Sequence, residues 1–416
     1  MNRKLFVIDF TAILPYGHNA SGVKYFSDFY GTEFHEIYPV VCKALPDTVD
    51  FIDQDARQAP YLYTRNMIKS IIPASKSIFN WSTESSVNLR FFRKYIHKMC
   101  GVDCFELIAV RFFKKLLNEH AVNKDDAFFF HSASYYEVCG LLGALNKRRL
   151  EDWPKIHFRF INVMENANIN NNGYRNITRM LHRHFKRQTN ENIRKVSISS
   201  EVPSYTERLM RDTGGSAIIT PYPPMPLPTE NNRDDVFTVA ALGAGREDKG
   251  FFRLKNIIDT FFQNYPQARA RFILQSVDQS SIIDNYEQSH YISQLLATPN
   301  VEILQHTMTA EDMDYQFSRA NLVILPYDPV IYANRGSAIL MEAIGKKVPV
   351  LATKGCGFSE YINLFDNGAL CASNEDFADQ IYKVITTDKK KLADKCDAAR
   401  EKHLEYFNNY YSKVWA

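Results

Sequence analysis

The stretch Arg335-Gly-Ser-Ala-Ile-Leu-Met-Glu342, continued by Ala343-Ile-Gly-Lys-Lys-Val-Pro-Val350, carries the most informative local pattern in this chain. It follows an apolar run at 321–326 that is typical of a buried strand, and then a loop. Gly336 and Ser337 open a short apolar helix, with Ser337 as its predicted N-cap. The first amides of such a helix point outward beside the positive end of the helix dipole, so a phosphate group would bind there.

Glu342 stands one to two turns into this helix, among Ala, Ile, Leu and Met residues. A carboxylate buried on so apolar a helix needs a partner, because burying it unpaired costs free energy. The two hydroxyl groups of a ribose would supply two hydrogen-bond donors. The alternative is an exposed glutamate on an amphipathic helix, and the helix sequence leaves both open.

Strands and helices alternate on both sides of this stretch. Val236-Phe-Thr-Val-Ala-Ala-Leu242 is predicted to be a strand, and others are expected at 271–275, 301–304, 322–325 and 348–352. Helices separate these strands, and the first shows apolar residues at helical spacing: Phe252, Leu254, Ile257, Ile258, Phe261 and Phe262. Such alternation predicts a parallel sheet covered by helices.

The N-terminal half predicts a second domain of the same class. Lys4-Leu-Phe-Val-Ile-Asp-Phe10 is typical of a buried strand, and a glycine-containing loop at 15–22 leads from it into a helix. Further strands are predicted at 126–131, 156–163, 196–199 and 217–220, and helices at 88–120, 135–145 and 173–194. Residues 45–85 are polar and irregular and receive no assignment.

A change of composition separates the two halves. Pro221-Tyr-Pro-Pro-Met-Pro-Leu-Pro228 carries five prolines, and 229–235 is polar. Such a segment forms a semi-rigid linker without a core of its own. We therefore predict an α/β protein with an N-terminal domain at 1–222, a linker at 223–235 and a C-terminal domain at 236–395.

Composition excludes several classes of protein. A length of 416 residues favours two domains over one. The net charge of +3 gives no argument for nucleic-acid binding, and no apolar run approaches the ~20 residues of a membrane span. The apolar region at the N-terminus is too short for a signal peptide. Seven scattered cysteines indicate reduced thiols in a cytoplasmic protein, with Cys100 and Cys104 as packing residues.

A second candidate site follows the first C-terminal strand, in the loop Gly243-Ala-Gly-Arg-Glu-Asp-Lys-Gly250. Arg246 and Lys249 are predicted to hold two phosphate groups, the arginine through paired hydrogen bonds and the lysine as a point charge. Glycine followed by a basic residue is also common in ordinary turns. The 335–342 helix supports the prediction of a phosphate site in the loop 243–250. Both segments follow strands, and the carboxyl ends of strands form the ligand-binding edge of an open α/β sheet.

Taken together, these motifs resemble the nucleotide-sugar-binding domain of the retaining glycosyltransferases of family 4, also called group 1. The segment 245–251 is similar to the phosphate loop of that family, and 317–327 to its strand ending in proline. The segment 332–353 is similar to its E-x7-E helix and the Gly-x-Pro-Val that follows. The resemblance covers roughly 236–380 and extends weakly to 197–202 and 219–223.

The resemblance implies the GT-B fold, in which two Rossmann-like domains face each other across a cleft. A C-terminal helix, here at about 396–416, would return to the N-terminal domain. The N-terminal domain would bind the acceptor, and the C-terminal domain would bind a nucleotide-diphosphate sugar as donor.

The resemblance also implies a role for each residue of the donor site. Arg246 and Lys249 would neutralise the diphosphate and stabilise its charge as it departs. The amides near Ser337 and Ala338 would bind phosphate, and Glu342 would hold the ribose hydroxyls. The other donor-binding residues expected are Gly243, Gly245, Tyr332, Arg335 and Gly336. Because no carboxylates stand at DxD-like spacing in a suitable loop, we expect neither a metal nor a separate cofactor, and the acceptor hydroxyl would attack from the same face.

Two departures from the family pattern affect catalysis. Asn334 occupies the first acidic position of E-x7-E, where it can hydrogen-bond a sugar but cannot support positive charge. The third N-terminal strand ends without the histidine that is frequent in the family, which leaves Glu165 or Asn166 as substitutes and His131 at the end of the preceding strand. With Gly22 of the N-terminal loop, these are acceptor or cleft candidates, and a structural role is the alternative for each.

A basic stripe marks the helix at 173–194. Arg175, Arg179, Arg183 and Arg187 recur at i,i+4 spacing. Together with two basic-aromatic segments, the stripe is predicted to rest on anionic lipid and to receive a lipid-linked glycan. The alternative is an ordinary solvated helix face. No nucleic-acid-binding module is recognised, so nucleic acid is not an expected partner.

The function expected is that of a retaining, metal-independent hexosyltransferase. It would add a sugar to a glycan or lipid-linked oligosaccharide in surface polysaccharide synthesis, of the O-antigen or capsule type. The expected location is the cytoplasm, with peripheral contact at the inner face of the plasma membrane. Two alternatives stay open: another sugar-nucleotide enzyme such as an epimerase, and a catalytically inactive donor-binding subunit, which Asn334 favours.

Overall fold

The structure, a computed structural model, describes residues 3–13, 18–47, 49, 52–60, 62, 103–161, 173–227, 232–276, 286–305 and 308–415. The chain divides into two compact units. The first contains Met1–Glu201, Tyr205–Ile219 and Val414–Ala416, and the second contains Val202–Ser204 and Thr220–Lys413. The segment 221–228, rich in proline, therefore belongs to the second unit.

The sheet of the first unit has seven parallel strands in the order β3-β2-β1-β4-β5-β6-β7. They are β1 (Lys4–Asp9), β2 (Glu36–Cys42), β3 (Arg57–Ala59), β4 (Ala127–Phe130), β5 (Lys155–Phe160), β6 (Val196–Ser200) and β7 (Ala217–Ile219). Every residue of β4 is buried, as expected for a parallel strand covered on both faces. Phe6 of β1 stacks between Phe128 and Tyr38 of the neighbouring strands, with ring centroids 4.8 and 5.0 Å away.

The described helices up to residue 213 are α1 (His18–Tyr30), α2 (Cys104–Glu119), α3 (Tyr135–Leu145), α4 (Gly173–Glu191) and α5 (Pro203–Thr213). Ser134 and Glu137 form a capping box at the start of α3. Helix α4 ends before the predicted residue 194, because Asn192 adopts a left-handed conformation with φ of 51°. Of the helix predicted at 88–120, the part before 103 lies outside the described residues.

The sheet of the second unit has six parallel strands in the order β10-β9-β8-β11-β12-β13. They are β8 (Phe237–Ala241), β9 (Ala270–Gln275), β10 (Val301–Leu304), β11 (Leu322–Leu325), β12 (Val350–Thr353) and β13 (Gly368–Cys371). The helices are α6 (Leu254–Asn264), α7 (Tyr286–Leu296), α8 (Ala310–Arg319), α9 (Ala338–Gly345), α10 (Glu360–Phe365), α11 (Asn374–Thr386) and α12 (Lys389–Tyr411).

The predicted apolar stripe of α6 packs into the core of the second unit. Leu254, Ile257, Ile258 and Phe261 are buried. Phe252 is 41% exposed, contrary to its place in the predicted stripe. The reason is that residues 251–253 form a separate 3-10 turn, which rotates Phe252 away from the buried face of α6.

The last helix, α12, belongs to the second unit and packs against its other segments. His403 Nε2 lies 3.0 Å from the Tyr222 carbonyl oxygen, and the Tyr411 hydroxyl donates to the Pro221 carbonyl at 3.0 Å. Trp415, two residues beyond the second unit, packs instead among first-unit aromatic rings, with centroids 5.7 Å from Tyr30 and 6.2 Å from Phe129. None of the helices in the described part of the chain is both long and apolar enough to cross a membrane.

The predicted α/β fold class, with two Rossmann-like units, is confirmed. The sequence prediction lacks β2, β3 and the edge strand β13. Strand β2 contains Pro39, paired with Val7 of β1, and proline is disfavoured within strands because it cannot donate a ladder hydrogen bond. Strand β3 has three residues and lies in the region without assignment, where so short a run gives no periodic signal.

Candidate functional site

The candidate donor site lies where the strand order of the second sheet reverses. Strand β8 pairs with β9 on one side and with β11 on the other. Chain connections therefore leave these neighbouring strands in opposite directions, and the carboxyl ends at such a point form a crevice for ligands. The loop 242–250 follows β8, and the segment 326–337 follows β11.

Two glycines shape the loop after β8. Gly250 has φ of 72°, and a Cβ there would collide with the carbonyl of Pro326. Gly243 has φ of 89°, and a Cβ there would lie 2.8 Å from Lys249 Nζ. Both positions need a residue that tolerates positive φ and has no side chain. As a result, the Lys249 ammonium packs against Gly243, near the start of the same loop.

The environment of Lys249 is unusual for a lysine. Part of the residue reaches solvent, but its charged end is surrounded by protein and lies 5.8 Å from the ring centroid of Tyr327. Burial and the nearby Arg246 lower the pKa of Lys249 to about 8, although Asp248 and Glu342 act in the opposite direction. A cavity of about 20 Å³ adjoins Lys249 and Tyr327, which is room for about one water molecule.

Arg246 stands at the outer side of the same loop and is half-exposed. It donates from Nε and Nη2 to the carboxylate of Asp248 at 2.9 and 3.0 Å, and from Nη2 to the Tyr332 hydroxyl at 3.0 Å. Arg335 Nη1 lies 3.9 Å from the same carboxylate. Two arginines predicted to bind the donor are thus gathered around Asp248, a residue that the sequence analysis did not select. The indication in the sequence is that Asp248 lies between Arg246 and Lys249, the two residues predicted to hold phosphate groups.

Helix α9 begins as predicted. Ser337 is its N-cap, and the Ser337 hydroxyl accepts a hydrogen bond from the Leu340 amide at 3.2 Å. Ile339, in the first turn, lies next to Gly243, since a Cβ on that glycine would be 3.3 Å from Ile339 Cγ1. The start of α9 and the Lys249 loop therefore meet at Gly243.

Glu342 is buried, with 5% of its surface exposed, so the alternative of a solvated glutamate is wrong. Burial raises the pKa of its carboxyl to about 7, while Lys346 and Lys249 lower it and Asp314 raises it. Lys346 is itself buried and forms an ion pair with Asp314. Glu342 thus lies on the buried side of α9, within electrostatic reach of Lys249.

The remaining donor candidates lie between Tyr332 and the first turn of α9. Tyr332 is buried, while Asn334, Gly336 and Ala338 are half-buried. Gly245 is buried, and a Cβ there would lie 2.6 Å from the Gln275 carbonyl oxygen. The structure therefore brings the predicted donor residues of the second unit into one region.

In the first unit, the strand order reverses between β1 and β4, and a second cluster lies there. Asp9 ends β1, His131 follows β4, and His131 Nε2 lies 2.8 Å from Asp9 Oδ2. Gly22 of α1 adjoins the imidazole, because a Cβ there would be 2.7 Å from Nδ1. Two predicted candidates, Gly22 and His131, are thus in contact. Glu165 and Asn166 lie outside the described residues.

This cluster contains charged residues that the sequence analysis did not select. Arg159 of β5 is 1% exposed and donates from Nη1 to the His131 carbonyl at 2.8 Å. Its Nη2 donates to Glu201 Oε1, after β6, at 2.5 Å. Asp9, His131, Arg159 and Glu201 follow one another across the ends of four adjacent strands. Their common sequence signal is a titratable residue within a predicted strand or close after its end.

The basic stripe of α4 reaches solvent. Arg175, Arg179 and Arg183 are exposed, whereas Arg187 donates to Glu191 at 2.7 Å and lies over the Trp153 ring. Contact with a membrane remains a prediction. Within the described residues, no group of three or more His, Cys, Asp or Glu side chains is placed to hold a metal ion.

Residues 229–403 match the family described as glycosyl transferases group 1. This part of the chain is a group 1 glycosyltransferase domain. The match includes both β8 and β11 with the loops that follow them, and it confirms the resemblance to group 1 glycosyltransferases. No curated protein sequence matches the chain.

Solved glycosyltransferase structures share the fold at low sequence identity. A glycosyltransferase from Rickettsia africae is 10% identical with a TM-score of 0.63, and the match covers 99% of this chain and 98% of that one. A structure from E. coli described as trehalose-6-phosphate bound with UDP-2-fluoro glucose is 10% identical, with a TM-score of 0.56 and coverage of 75% and 77%. These likenesses show the GT-B fold, as predicted.

TarM from S. aureus, solved with fondaparinux, alpha-GlcNAc-glycerol and UDP, is 13% identical with a TM-score of 0.52. The match covers 73% of this chain and only 58% of TarM. The glycosyltransferase domain described here is therefore similar in fold to proteins that bind nucleotide sugars or UDP.

Proposed function

We propose that this protein transfers a sugar from a nucleotide-diphosphate sugar to an acceptor hydroxyl, with retention of configuration and without a metal. The observation that carries the proposal is the meeting of the Lys249 loop and the start of α9 at Gly243, on the reversal point of the second sheet. Membership of the group 1 domain and the UDP-bound structures of similar fold support it.

The donor would be held through its diphosphate and its ribose. Lys249, Arg246 and the first amides of α9 supply positive charge for the two phosphates. The Arg246 guanidinium already donates hydrogen bonds to the Asp248 carboxylate. A bound diphosphate would therefore be a second anion in contact with that guanidinium. The ionised carboxylate of Glu342 would accept hydrogen bonds from the ribose hydroxyls, which matches its place on the buried side of α9.

The reaction would begin with departure of the nucleoside diphosphate. Its growing negative charge is stabilised by groups already fixed before the reaction, namely Lys249, Arg246 and the amides near Ser337 and Ala338. These groups supply positive charge where a metal would act in other transferases. Asn334 would orient a sugar hydroxyl, because an amide can hydrogen-bond but cannot neutralise a cationic anomeric carbon.

The acceptor would bind the first unit near His131 and Gly22. A glycan or lipid-linked oligosaccharide of a surface polysaccharide fits this proposal, since the exposed arginines of α4 would attract an anionic membrane surface. The second candidate function is a donor-binding subunit without transferase activity. Asn334 favours it, because the position carries no charge.

A panel of sugar nucleotides scored by thermal shift tests donor binding. The preferred donor at 100 times its Kd should stabilise the protein by about 2.7 kcal/mol. Lys249→Ala and Glu342→Ala should abolish this shift, and Lys255→Ala, whose ammonium pairs with exposed Asp259 on α6, should keep it. Retention of the full shift in both site variants would show that the donor binds elsewhere.

Transfer is tested with the preferred donor and candidate acceptors. Release of nucleoside diphosphate that depends on the acceptor, with the new bond keeping the anomeric configuration of the donor, supports a retaining transferase. Donor consumption without an acceptor would favour an epimerase. A donor-induced shift without any release would favour the inactive subunit.

A further inference from the structure

Gln275 is the last residue of β9, the strand that pairs with β8. Its side chain is buried, with 8% of the residue exposed, and a buried carboxamide needs hydrogen-bond partners. Gln275 Oε1 accepts a hydrogen bond from the Gly243 amide at 2.6 Å. Because a backbone amide can only donate, the contacting atom must be the side-chain oxygen. Gln275 is thus joined directly to the first residue of the loop 243–250.

The main chain of Gln275 contacts the same loop at a second place. A Cβ on Gly245 would lie 2.6 Å from the Gln275 carbonyl oxygen and 2.8 Å from Ser276 Cα. Gly245 therefore lies directly on the end of β9. The first three residues of the loop are held at both ends by one residue of the neighbouring strand.

Neighbouring strands fix the backbone at the end of β9. Leu274 pairs with Ala241 of β8, and Gln275 pairs with Leu304 of β10. The Ser276 amide then donates to the Leu304 carbonyl at 3.0 Å. Since β9 is held on both sides, the Gln275 side chain extends from a fixed point, and the position of Gly243 follows from it.

Gly243 stands between Gln275 and the proposed phosphate-binding lysine. Its amide meets the Gln275 side chain, and a Cβ on it would lie 2.8 Å from Lys249 Nζ. All three residues line the same cavity of about 20 Å³. A shift of Gly243 would therefore displace the surface against which the Lys249 ammonium packs.

We infer that Gln275 is a positioning residue of the donor site. Its side-chain oxygen holds the Gly243 amide, and this contact sets where the Lys249 ammonium meets the donor diphosphate. The inference rests on the proposed function, because it requires that Lys249 binds phosphate. It adds a residue from a different strand, which acts on the donor only through the loop 243–250.

Gln275→Met tests the inference, since methionine keeps the approximate volume of glutamine and removes the acceptor. The Gly243 amide would lose its hydrogen bond, so donor affinity should fall roughly five- to tenfold in isothermal titration with the preferred sugar nucleotide. If Gln275 served only to fill space, methionine would serve equally well. An unchanged donor affinity would therefore overturn the inference.

Gln188→Met is the matched control. Gln188 of α4 is also buried, and its Oε1 accepts from the backbone amides of Lys195 and Val196 at 2.6 and 2.5 Å. The control should lower the midpoint of urea unfolding, as Gln275→Met does, and keep the donor affinity of the wild-type protein. An equal loss of affinity in both variants would assign the effect to general destabilisation and overturn the inference.

A double-variant cycle shows whether Gln275 acts through Lys249. Lys249→Met should lower donor affinity roughly ten- to a hundredfold. Adding Gln275→Met should lower it no further, because the ammonium that the loop positions is then absent. Losses that multiply would contradict a positioning role.

Gln275→Glu supplies a second variant should Gln275→Met fail to fold, because a carboxylate still accepts from the Gly243 amide. The charged groups around the Lys249 ammonium are Arg246 and Asp248 of its own loop and Glu342 of α9. A further anion beside Gly243 favours the protonated ammonium. The decrease of donor affinity at alkaline pH should therefore begin at a pH about one unit higher than in the wild-type protein. An alkaline decrease at the wild-type pH would overturn the inference.

The outcomes also separate this inference from the proposed function. If Lys249→Met loses donor affinity and Gln275→Met does not, only the role of Gln275 is wrong. If the wild-type protein binds no sugar nucleotide, or Lys249→Met keeps the full affinity, the proposed donor site fails and the role of Gln275 fails with it.

Discussion

The Lys249 ammonium packs against the backbone of Gly243, so closely that a Cβ on Gly243 would lie 2.8 Å from Nζ. This relationship joins the two ends of the loop 243–250 and brings Lys249 to the first turn of α9. The position of the proposed phosphate-binding cation therefore depends on a residue that has no side chain.

Gly243→Ala should weaken donor binding about tenfold, because the new methyl group displaces the Lys249 ammonium from the loop. It should also cost ~1–3 kcal/mol in the free energy of unfolding, since φ of 89° is strained for alanine. Isothermal titration with the preferred donor and urea unfolding measure the two effects.

Gly355→Ala is the matched control for Gly243→Ala. Gly355 has a similar φ of 94°, and a Cβ there would meet only Pro329 at 3.5 Å. It should therefore lose similar stability while keeping the donor affinity. Equal losses of affinity in both variants would show that backbone strain, and not the position of Lys249, controls binding.

Donor affinity should be greatest between about pH 7 and about pH 8, the pKa values of Glu342 and Lys249. A diphosphate prefers protonated Lys249, so affinity should fall as the pH rises above 8. Ribose hydroxyls prefer the ionised Glu342 carboxylate, so affinity should also fall as the pH drops below 7. Titrations from about pH 5.5 to about pH 9.5 measure both limbs.

Lys249→Arg tests whether deprotonation of Lys249 causes the decrease in donor affinity above pH 8. A guanidinium stays protonated throughout this range, so the variant should lose the decrease above pH 8 and keep the decrease below pH 7. A wild-type profile without either limb would mean that neither group contacts the donor.

Glu342→Gln should stabilise the free protein at alkaline pH while weakening donor binding. The pKa of Glu342 is about 7 in the folded state, above its ordinary value, so stability is lost as the carboxyl ionises with rising pH. Removing that charge should increase the free energy of unfolding by up to about 3 kcal/mol at pH 8, and by little below about pH 5. Urea unfolding at both pH values measures this, and a variant that is less stable at pH 8 contradicts it.

Replacing Arg175, Arg179 and Arg183 with glutamine should weaken binding to anionic vesicles roughly a hundredfold, given about 1 kcal/mol for each charge near the surface. Co-sedimentation with phosphatidylserine vesicles measures the loss. The control replaces Lys389, Lys390 and Lys391, three exposed lysines at the start of α12. If both triple variants lose the same factor, the attraction comes from net charge and α4 is no specific membrane face.

Most of the strands could be predicted because their signals are local. Strand β4 is a run of four buried apolar residues, and the α6 stripe repeats at helical spacing. Strand β2 could not be predicted, because Pro39 weakens its strand pattern. It forms through pairing with β1 on one side and β3 on the other. The same distinction applies to the site. Arg246, Lys249 and Ser337 carry local signals, whereas the place of Asp248 in the site depends on its contact with Arg335, more than eighty residues later.

The sequence by itself determined the α/β class, the two segments proposed to bind phosphate and the N-cap of α9, because periodicity, glycine loops and capping act between residues that are close in the chain. Only the tertiary structure decided that Glu342 is buried, that Lys249 packs on Gly243 and that Asp9 meets His131. Those facts depend on which strands become neighbours in a sheet. Burial and charge pairing are then set by groups from distant segments, whose combined effect on a pKa or a hydrogen bond no local pattern contains.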